Sequence, residues 1–361
     1  MKFLTSHKLV AIFSLQVITV IILYVALPGH ADIKRTAFQP DSINSVCMGL
    51  EMGHSNLDKI SEVESNLSNY FGTKLQCPDS ITPPYRTRLL LPALIALSSK
   101  VNLWWAVFIP SVIIYFLFGY MYYKLTKNFN LRQKYSFLVL LSPFLSIHLG
   151  WFFANIMTEG PVALFLTGLA FFWLRGEEFS NNFVTLASLA LGIGAIYSKQ
   201  VWPVIAITWI IIISQRDFSK KYKYIFGIVS FFVAYAINYS TQLVGTHLYG
   251  SDLGAWNLWS IFQHPGKAIT GIFLGIKHDL FSPFMFFDIL FFLILYFFYL
   301  LFKSNKVAGR VKILIAVYLT WSIATLGEVY LADGSYGQNW RFFSFSFIPI
   351  VPVVLRYEVD Y

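Results

Sequence analysis

Eleven apolar stretches divide the chain of 361 residues, and nearly all of its charged residues fall in the connections between them. A charge at the centre of a bilayer costs about 2.5–3.5 kcal/mol on insertion scales, so a chain that crosses a bilayer repeatedly shows this pattern. Only 12% of the residues are charged, against about 25% in a soluble domain, and 57% are hydrophobic. The sequence therefore predicts an all-α fold, a polytopic transmembrane helical bundle.

The lengths of the stretches predict a single transmembrane domain, residues 1–361, with about 10–11 spans, since a span needs about 20 apolar residues. The stretches are 9–27, 89–98, 103–123, 135–154, 161–174, 183–197, 201–214, 224–244, 283–302, 313–330 and 342–355. The first resembles the apolar part of a signal peptide but is long for one, so we predict a retained span. The stretch at 89–98 is too short to cross alone, and either re-enters the membrane or displaces another predicted span.

Basic residues set the predicted orientation. Three connections hold almost only lysine and arginine: Lys124, Lys127, Arg132 and Lys134; Arg216, Lys220, Lys221 and Lys223; Lys303, Lys306, Arg310 and Lys312. Such clusters stay in the cytoplasm, which also accounts for the net charge of +9 without a nucleic-acid partner. Alternation then places the loops 29–88 and 245–281 on the extracytoplasmic side. If the cell is bacterial, the membrane is the inner (plasma) membrane.

The 29–88 loop is the one long polar segment, and it contains seven acidic residues and both cysteines. Apolar periodicity predicts two short amphipathic helices in it, at 42–52 and 57–71. Cys47 and Cys77 are the only cysteines of the chain. An even pair confined to an outer loop predicts a disulfide in an oxidising compartment; the alternative is two free thiols.

Ionisable residues at the outer ends of the predicted spans are the candidates for function. The cations are Arg86, Arg88, Lys199 and Arg341, and the carboxylates are Glu159 and Glu328. On the predicted topology all six reach one membrane face, where arginine and lysine suit a phosphate-bearing ligand whose tail lies in lipid. No firm metal-ligand spacing occurs among the outer histidines and acids, so we predict no metal site.

Each candidate also has a purely structural interpretation. Arg86 and Arg88 would extend to lipid headgroups, and Glu159 would stabilise the start of a helix through its dipole. Lys199 would be an exposed loop lysine, and Glu328 with Arg341 would form a structural ion pair.

Four segments resemble bacterial membrane glycosyltransferases of the GT-C type, in the order in which that family has them. Residues 84–92 (PYRTRLLLP) resemble the segment after the family's first outer loop, and residues 158–161 (TEGP) resemble a span start with Gly160 inserted. Residues 195–200 (AIYSKQ) are similar to a small-residue stretch that ends in a basic residue. Trp340 and Arg341, followed by residues 347–349 (FIP), are similar to the final span.

The resemblance implies a GT-C-like fold and transfer of a sugar from a polyprenyl-phosphate donor to an extracytoplasmic lipid, glycan or protein. It implies that an acid shortly after the first span activates the acceptor, and Asp41 is best placed for this role. Ser45 stands where the family has an aromatic residue, so Asp32 and Glu51 remain as reserves. Arg86, Arg88, Lys199 and Arg341 are then the expected donor-phosphate ligands, with Glu159 and Glu328 at the pocket wall.

The expected partners are thus the lipid-linked donor, the acceptor and the bilayer; no cofactor is firmly implied, although the sequence does not exclude a divalent metal. The rival from another class is a non-enzymatic lipid or glycan flippase or a transporter, which would place polar residues deep inside several spans. A third reading is a polymerase-like or acyltransferase-like enzyme; for an acyltransferase, His278 and Asp279 are the one outer pair.

Overall fold

The structure is a computed structural model that describes residues 2–26, 40–54, 56–72, 75, 77, 88–101, 104–126, 141, 143–145, 154–156, 159–198, 229, 233 and 262–281. Within these ranges the chain is mostly helical and contains no strand. The helices are α1 (Lys2–Ile21), α2 (Pro40–Gly53), α3 (Leu57–Phe71), α4 (Leu90–Ser99), α5 (Ile109–Thr126), α6 (Glu159–Arg175), α7 (Asn181–Ser198) and α8 (Pro265–Phe281). A π-helical turn, Ile22–Ala26, extends α1, and 3-10 turns at Trp104–Val107 and Gly176–Glu178 precede α5 and follow α6.

Two segments are long and apolar enough to cross a membrane, His7–Ala26 and Trp105–Thr126. They coincide with the predicted stretches 9–27 and 103–123. Three shorter apolar segments, Leu90–Ser99, Glu159–Phe172 and Asn181–Ala195, fall on the predicted stretches 89–98, 161–174 and 183–197. The predicted spans after residue 200 lie almost entirely outside the described residues, so the described part supports two segments of crossing length rather than a counted bundle.

Helices α1 and α5 pack against each other in antiparallel directions. The amide of Gln16, in the middle of α1, donates from Nε2 to the backbone carbonyl of Tyr115. Gly119, one turn later in α5, leaves room for the Gln16 side chain, since a Cβ there would overlap it. At the other end of the pair, the Tyr24 ring stacks on Phe108 at 4.6 Å between centroids. The end of α1 therefore meets the start of α5.

Helices α5, α6 and α7 continue the bundle. Nη1 of Arg175, the last residue of α6, donates to the backbone carbonyl of Lys124 near the end of α5 at 3.4 Å, so these two helices run in parallel. A Cβ on Gly168 would lie 2.9 Å from Leu191, and one on Gly194 would lie 2.7 Å from Phe165. That register makes α6 and α7 an antiparallel hairpin. The start of α1 and the ends of α5 and α6 form one end of the bundle, called the Arg175 end below.

The opposite end, called the Tyr24 end, is where the first outer loop attaches. Tyr24 Oη donates to the carbonyl of Ala154 at 2.7 Å, and Tyr70 Oη, near the end of α3, donates to the carbonyl of Tyr24 at 2.8 Å. The Phe71 ring meets Tyr24 edge-on at 6.3 Å. The end of the first apolar helix, the end of α3 and the turn before α6 thus share this end.

The loop helices α2 and α3 occupy the segments where the sequence predicts amphipathic helices. The Asn56 side chain caps α3 by accepting from the amide of Asp58 at 2.9 Å, and Gly72, with φ at 66°, ends it. A disulfide joins Cys47 in α2 to Cys77 beyond α3, with 5.5 Å between their Cα atoms, which is the pairing expected from the sequence. The bridge connects the middle of α2 to the segment that follows α3.

Candidate functional site

The described residues include four of the ionisable candidates: Asp41, Glu51, Arg88 and Glu159. Asp32, Arg86, Lys199, Glu328 and Arg341 lie outside the described residues, so their proposed positions stay predictions. Asp41 is the second residue of α2, and the structure describes its backbone. Three of them fall into two groups, Asp41 and Arg88 at the starts of α2 and α4, and Glu159 at the start of α6, whereas Glu51 lies near the end of α2.

The first group depends on how α2 packs on α4. A Cβ on Gly49 would lie 2.6 Å from Ile95 Cγ2 and 2.9 Å from the carbonyl of Pro92, and one on Gly53 would lie 2.8 Å from Ser99 Oγ. Later residues of α2 thus meet later residues of α4, so the two helices are parallel. Close approach of this kind needs small residues, and glycine at positions four residues apart supplies them.

Parallel packing brings Asp41 and Arg88 to the same end of the helix pair. Asp41 precedes Gly49 by eight residues, or about 12 Å along a helix, and Arg88 precedes Pro92 by four residues, or about 6 Å. The two residues therefore lie within about 6 Å of each other along the common axis. Glu51 lies ten residues after Asp41, about 15 Å further along α2, and is exposed. The packing separates the first-choice acid from this reserve.

The surroundings of Arg88 are polar and buried. Arg88 itself is only 8% exposed, and three polar residues in the first turns of α2 are buried as well: Ser42, Asn44 and Ser45. Ser42 lies seven residues before Gly49, so it belongs to the α2 face that packs on α4. The positive ends of both helix dipoles point to this end. Together, a buried guanidinium and two helix starts favour an anionic group nearby. We call this group of residues the α2–α4 start.

The second group is at the Tyr24 end. Glu159 opens α6 and is fully buried, five residues after Ala154, whose carbonyl accepts from Tyr24 Oη. A carboxylate at the first position of a helix interacts favourably with the dipole, as the structural interpretation expects. In the α6–α7 hairpin, Phe165 lies opposite Gly194, so six residues toward the start of α6 correspond to the end of α7. Glu159 and Ser198 therefore share this end, and Lys199 is the next residue in the sequence.

The two groups are connected through α4. The end of α4 contacts the 3-10 turn Trp104–Val107, which leads into Phe108 at the Tyr24 end. Arg88 lies at the opposite end of α4, about 15 Å away along a helix of ten residues. The two groups therefore lie at opposite ends of α4.

Sequence reasoning missed Glu64, which supports the disulfide. Its Oε1 accepts from the backbone amide of Cys77 at 3.2 Å, and its carboxylate lies within 4.8 Å of both sulfurs. Cys47, Glu64 and Cys77 have the donor types of a metal site, but the sulfurs are bonded to each other. Tyr24 and Tyr70 were missed as well, because no motif distinguishes a tyrosine that bonds a distant carbonyl.

The chain matches no protein-family model, no curated protein and no solved structure. The likeness to GT-C glycosyltransferases therefore depends on the four sequence segments alone.

Proposed function

We propose that this protein is an integral-membrane glycosyltransferase of the GT-C type, which moves a sugar from a polyprenyl-phosphate donor to an extracytoplasmic acceptor. The observation that carries the proposal is the parallel packing of α2 on α4. It places Asp41, the acid that the resemblance selects, at the same end as the buried Arg88 of the YRTR segment. In glycosyl transfer a general base acts on the attacking hydroxyl and a phosphate ligand acts on the leaving phosphate, so both must lie near the same anomeric carbon.

Two features support a membrane location and its orientation. The first apolar helix exposes large aliphatic side chains along its length, including Val10, Val17, Ile18 and Ile21, which suits contact with lipid. The Arg175 end contains Lys8, Lys124 and Arg175, so the positive-inside rule assigns it to the cytoplasm. The Tyr24 end, with α3 and the disulfide, is then extracytoplasmic.

In the proposed reaction the Asp41 carboxylate accepts the proton of an acceptor hydroxyl as that oxygen attacks the anomeric carbon of the sugar. The bond between the anomeric carbon and the phosphate oxygen breaks, and its electron pair leaves with the polyprenyl phosphate. Arg88 stabilises the charge that develops on that phosphate, as the two helix starts beside it do. Arg86 is proposed as a further ligand of the same phosphate. Lys199 and Arg341 are proposed as donor ligands on the side of the pocket toward the Tyr24 end, with Glu159 and Glu328 at the wall.

The test is transfer activity of the full chain in proteoliposomes, with a polyprenyl-phosphate sugar as donor and release of free polyprenyl phosphate as the readout. We expect Asp41→Asn to lower the rate about 10²–10⁴-fold, the usual contribution of a general base. Asp58→Asn, on the exposed side of α3, is the matched control and should leave the rate unchanged. If Asp32→Asn or Glu51→Gln abolishes transfer while Asp41→Asn does not, the role of the base passes to that residue. If all three are silent, the enzyme proposal is wrong.

A flippase is the second candidate, because polar side chains lie deep within both segments of crossing length. Gln16 of α1 is fully buried. In α5, Tyr115 and Tyr122 are fully buried and Ser111 is 1% exposed. Polar residues inside spans often line a path for substrate. A flippase would move the intact donor between leaflets and release no polyprenyl phosphate, so the same proteoliposomes distinguish the two functions.

A further inference from the structure

Helix α8 (Pro265–Phe281) lies in the predicted outer loop 245–281 and has one buried and one exposed side. Ala268 is 1% exposed, and Gly271, three residues later, is buried too, so this side packs on the rest of the protein. Ile269 is 53% exposed and Phe273, four residues later, is 69% exposed. These two side chains are close to opposite Gly271 around the helix, so they point away from the protein.

The exposed side of α8 is apolar beyond these two side chains. A Cβ on Gly266, one turn before Ile269, would meet nothing within 4 Å. Thr270 is exposed, but its hydroxyl donates to the carbonyl of Gly266 at 3.0 Å, so it needs no partner from outside the helix. Phe262, just before the helix, is exposed as well. Large apolar side chains exposed together on one side of a helix suit a contact with a membrane or a partner.

Two lysines flank the apolar side. Lys267 and Lys277 are both exposed. Lys277 lies four residues after Phe273 on the same side of the helix, and Lys267, four residues before the buried Gly271, lies at the border between the exposed and the buried side. A helix with an apolar side bordered by lysines is the pattern of a segment that lies in the membrane interface and attracts anionic lipid. An anionic bilayer accounts for both features at once, the apolar side and the lysines beside it.

We infer that α8 is an interfacial helix, which inserts Ile269 and Phe273 into the acyl region of the bilayer and places Lys267 and Lys277 at the phosphates of anionic phospholipids. The inference rests on the membrane location stated under the proposed function and is independent of glycosyl transfer. It assigns a lipid-binding surface to a loop for which the sequence predicts no helix.

The test uses fluorescence quenching of the full chain in vesicles of phosphatidylcholine and phosphatidylglycerol at 3:1. A bimane label is placed on single cysteines at Ile269→Cys, Phe273→Cys and Lys267→Cys, while the native cysteines do not react because they form the disulfide. Val17→Cys, on the exposed side of α1, reports insertion of the first span.

We expect lipids brominated on the acyl chain to quench the label at positions 17, 269 and 273 at least several-fold more than aqueous iodide does. At position 267 we expect iodide to quench the label more than brominated lipid does. Quenching of position 273 by iodide would place it in water, and protection from both quenchers would mean that protein covers it. Either result overturns the inference. If brominated lipid fails to quench the label at position 17, the first span is not inserted in the bilayer. That result overturns the inference as well.

The lysines have a separate readout. With the label at position 273, brominated phosphatidylglycerol should quench more strongly than brominated phosphatidylcholine. Lys267→Gln with Lys277→Gln should remove this preference, because each lysine near an anionic surface contributes roughly a five-fold change in binding. An unchanged preference in the double variant would contradict the role of the lysines.

Discussion

At the scale of single residues, burial distinguishes the candidates more sharply than their sequence neighbours do. Arg88 and Glu159 are buried among apolar helices, whereas Glu51, Asp58 and Glu62 are exposed on the loop helices. A buried guanidinium is costly to desolvate and is kept where it is paired or binds an anion. Extension of Arg88 to lipid headgroups, its structural interpretation, is therefore little suited to a side chain that is 8% exposed.

Arg88→Ala should weaken binding of the polyprenyl-phosphate donor roughly 10–100-fold, because a charge-assisted hydrogen bond contributes about 1.5–3 kcal/mol. Binding can be measured by titrating a fluorescent donor analogue into the detergent-solubilised chain. Lys100→Ala, at the other end of α4 and exposed, is the control and should bind normally. The melting temperatures of both variants, measured without donor, show whether either substitution impairs folding. Equal donor affinity in Arg88→Ala would remove Arg88 from the phosphate site.

At the scale of elements, two contacts shape the proposed site: the glycine face of α2 on α4, and the disulfide that follows α3. The sequence predicts α2 and α3 from their apolar periodicity and predicts the bridge from the cysteine count. It does not predict that α2 runs parallel to α4, since Gly49 and Gly53 show that something approaches closely but not which helix does so. The site at the α2–α4 start depends on that choice of partner.

Gly49→Ala should destabilise the protein by about 1–3 kcal/mol, the usual cost of overpacking. The new Cβ would lie 2.6 Å from Ile95 Cγ2 and 2.9 Å from the Pro92 carbonyl, so the helices must separate. Gly266→Ala on α8 is the matched control: it meets no atom within 4 Å and should be neutral or slightly stabilising. Thermal unfolding followed by circular dichroism compares the two. Equal melting temperatures would contradict the close α2–α4 packing.

Replacement of Cys47 and Cys77 by serine should destabilise the outer loop by about 3–4 kcal/mol on the chain-entropy model, for a loop closed over a separation of 30 residues. The expected readout is faster proteolysis within residues 40–77, while the segment His7–Ala26 stays protected. Mass spectrometry after alkylation without reductant checks the premise in the unmodified chain. Two alkylated cysteines there would show that the bridge is absent.

At the scale of the whole molecule, the two ends of the bundle differ in charge and in attachments. The Arg175 end contains basic residues and a local ion pair, with Arg175 Nε 2.6 Å from Glu178 Oε1. The Tyr24 end holds the loop helix α3 through the Phe71–Tyr24 ring contact and the hydrogen bond from Tyr70 to Tyr24, and a second hydrogen bond joins Tyr24 to Ala154. This polarity agrees with the predicted topology over the described part of the chain.

Cysteine accessibility in a cysteine-free background tests the orientation. A cysteine at position 58, on the exposed side of α3, should react with an impermeant maleimide added outside intact cells, and one at position 221 should react only after the membrane is permeabilised. The reason is that position 221 lies in a lysine cluster, which the positive-inside rule keeps in the cytoplasm. Outside labelling at position 221 would reverse or break the topology, and with it the assignment of the Tyr24 end.

The sequence by itself determined the local features: helical character, two segments of crossing length, the helices at Pro40–Gly53 and Leu57–Phe71, and the pairing of the only two cysteines. These follow from composition and from periodicity over three or four residues, which neighbouring positions determine. Only the tertiary structure decided that α2 runs parallel to α4, that Tyr24 bonds the turn before Glu159, and that α8 turns Phe273 away from the protein. Each of these is a contact between residues far apart in the chain, and such contacts depend on which surfaces fit together rather than on any local pattern.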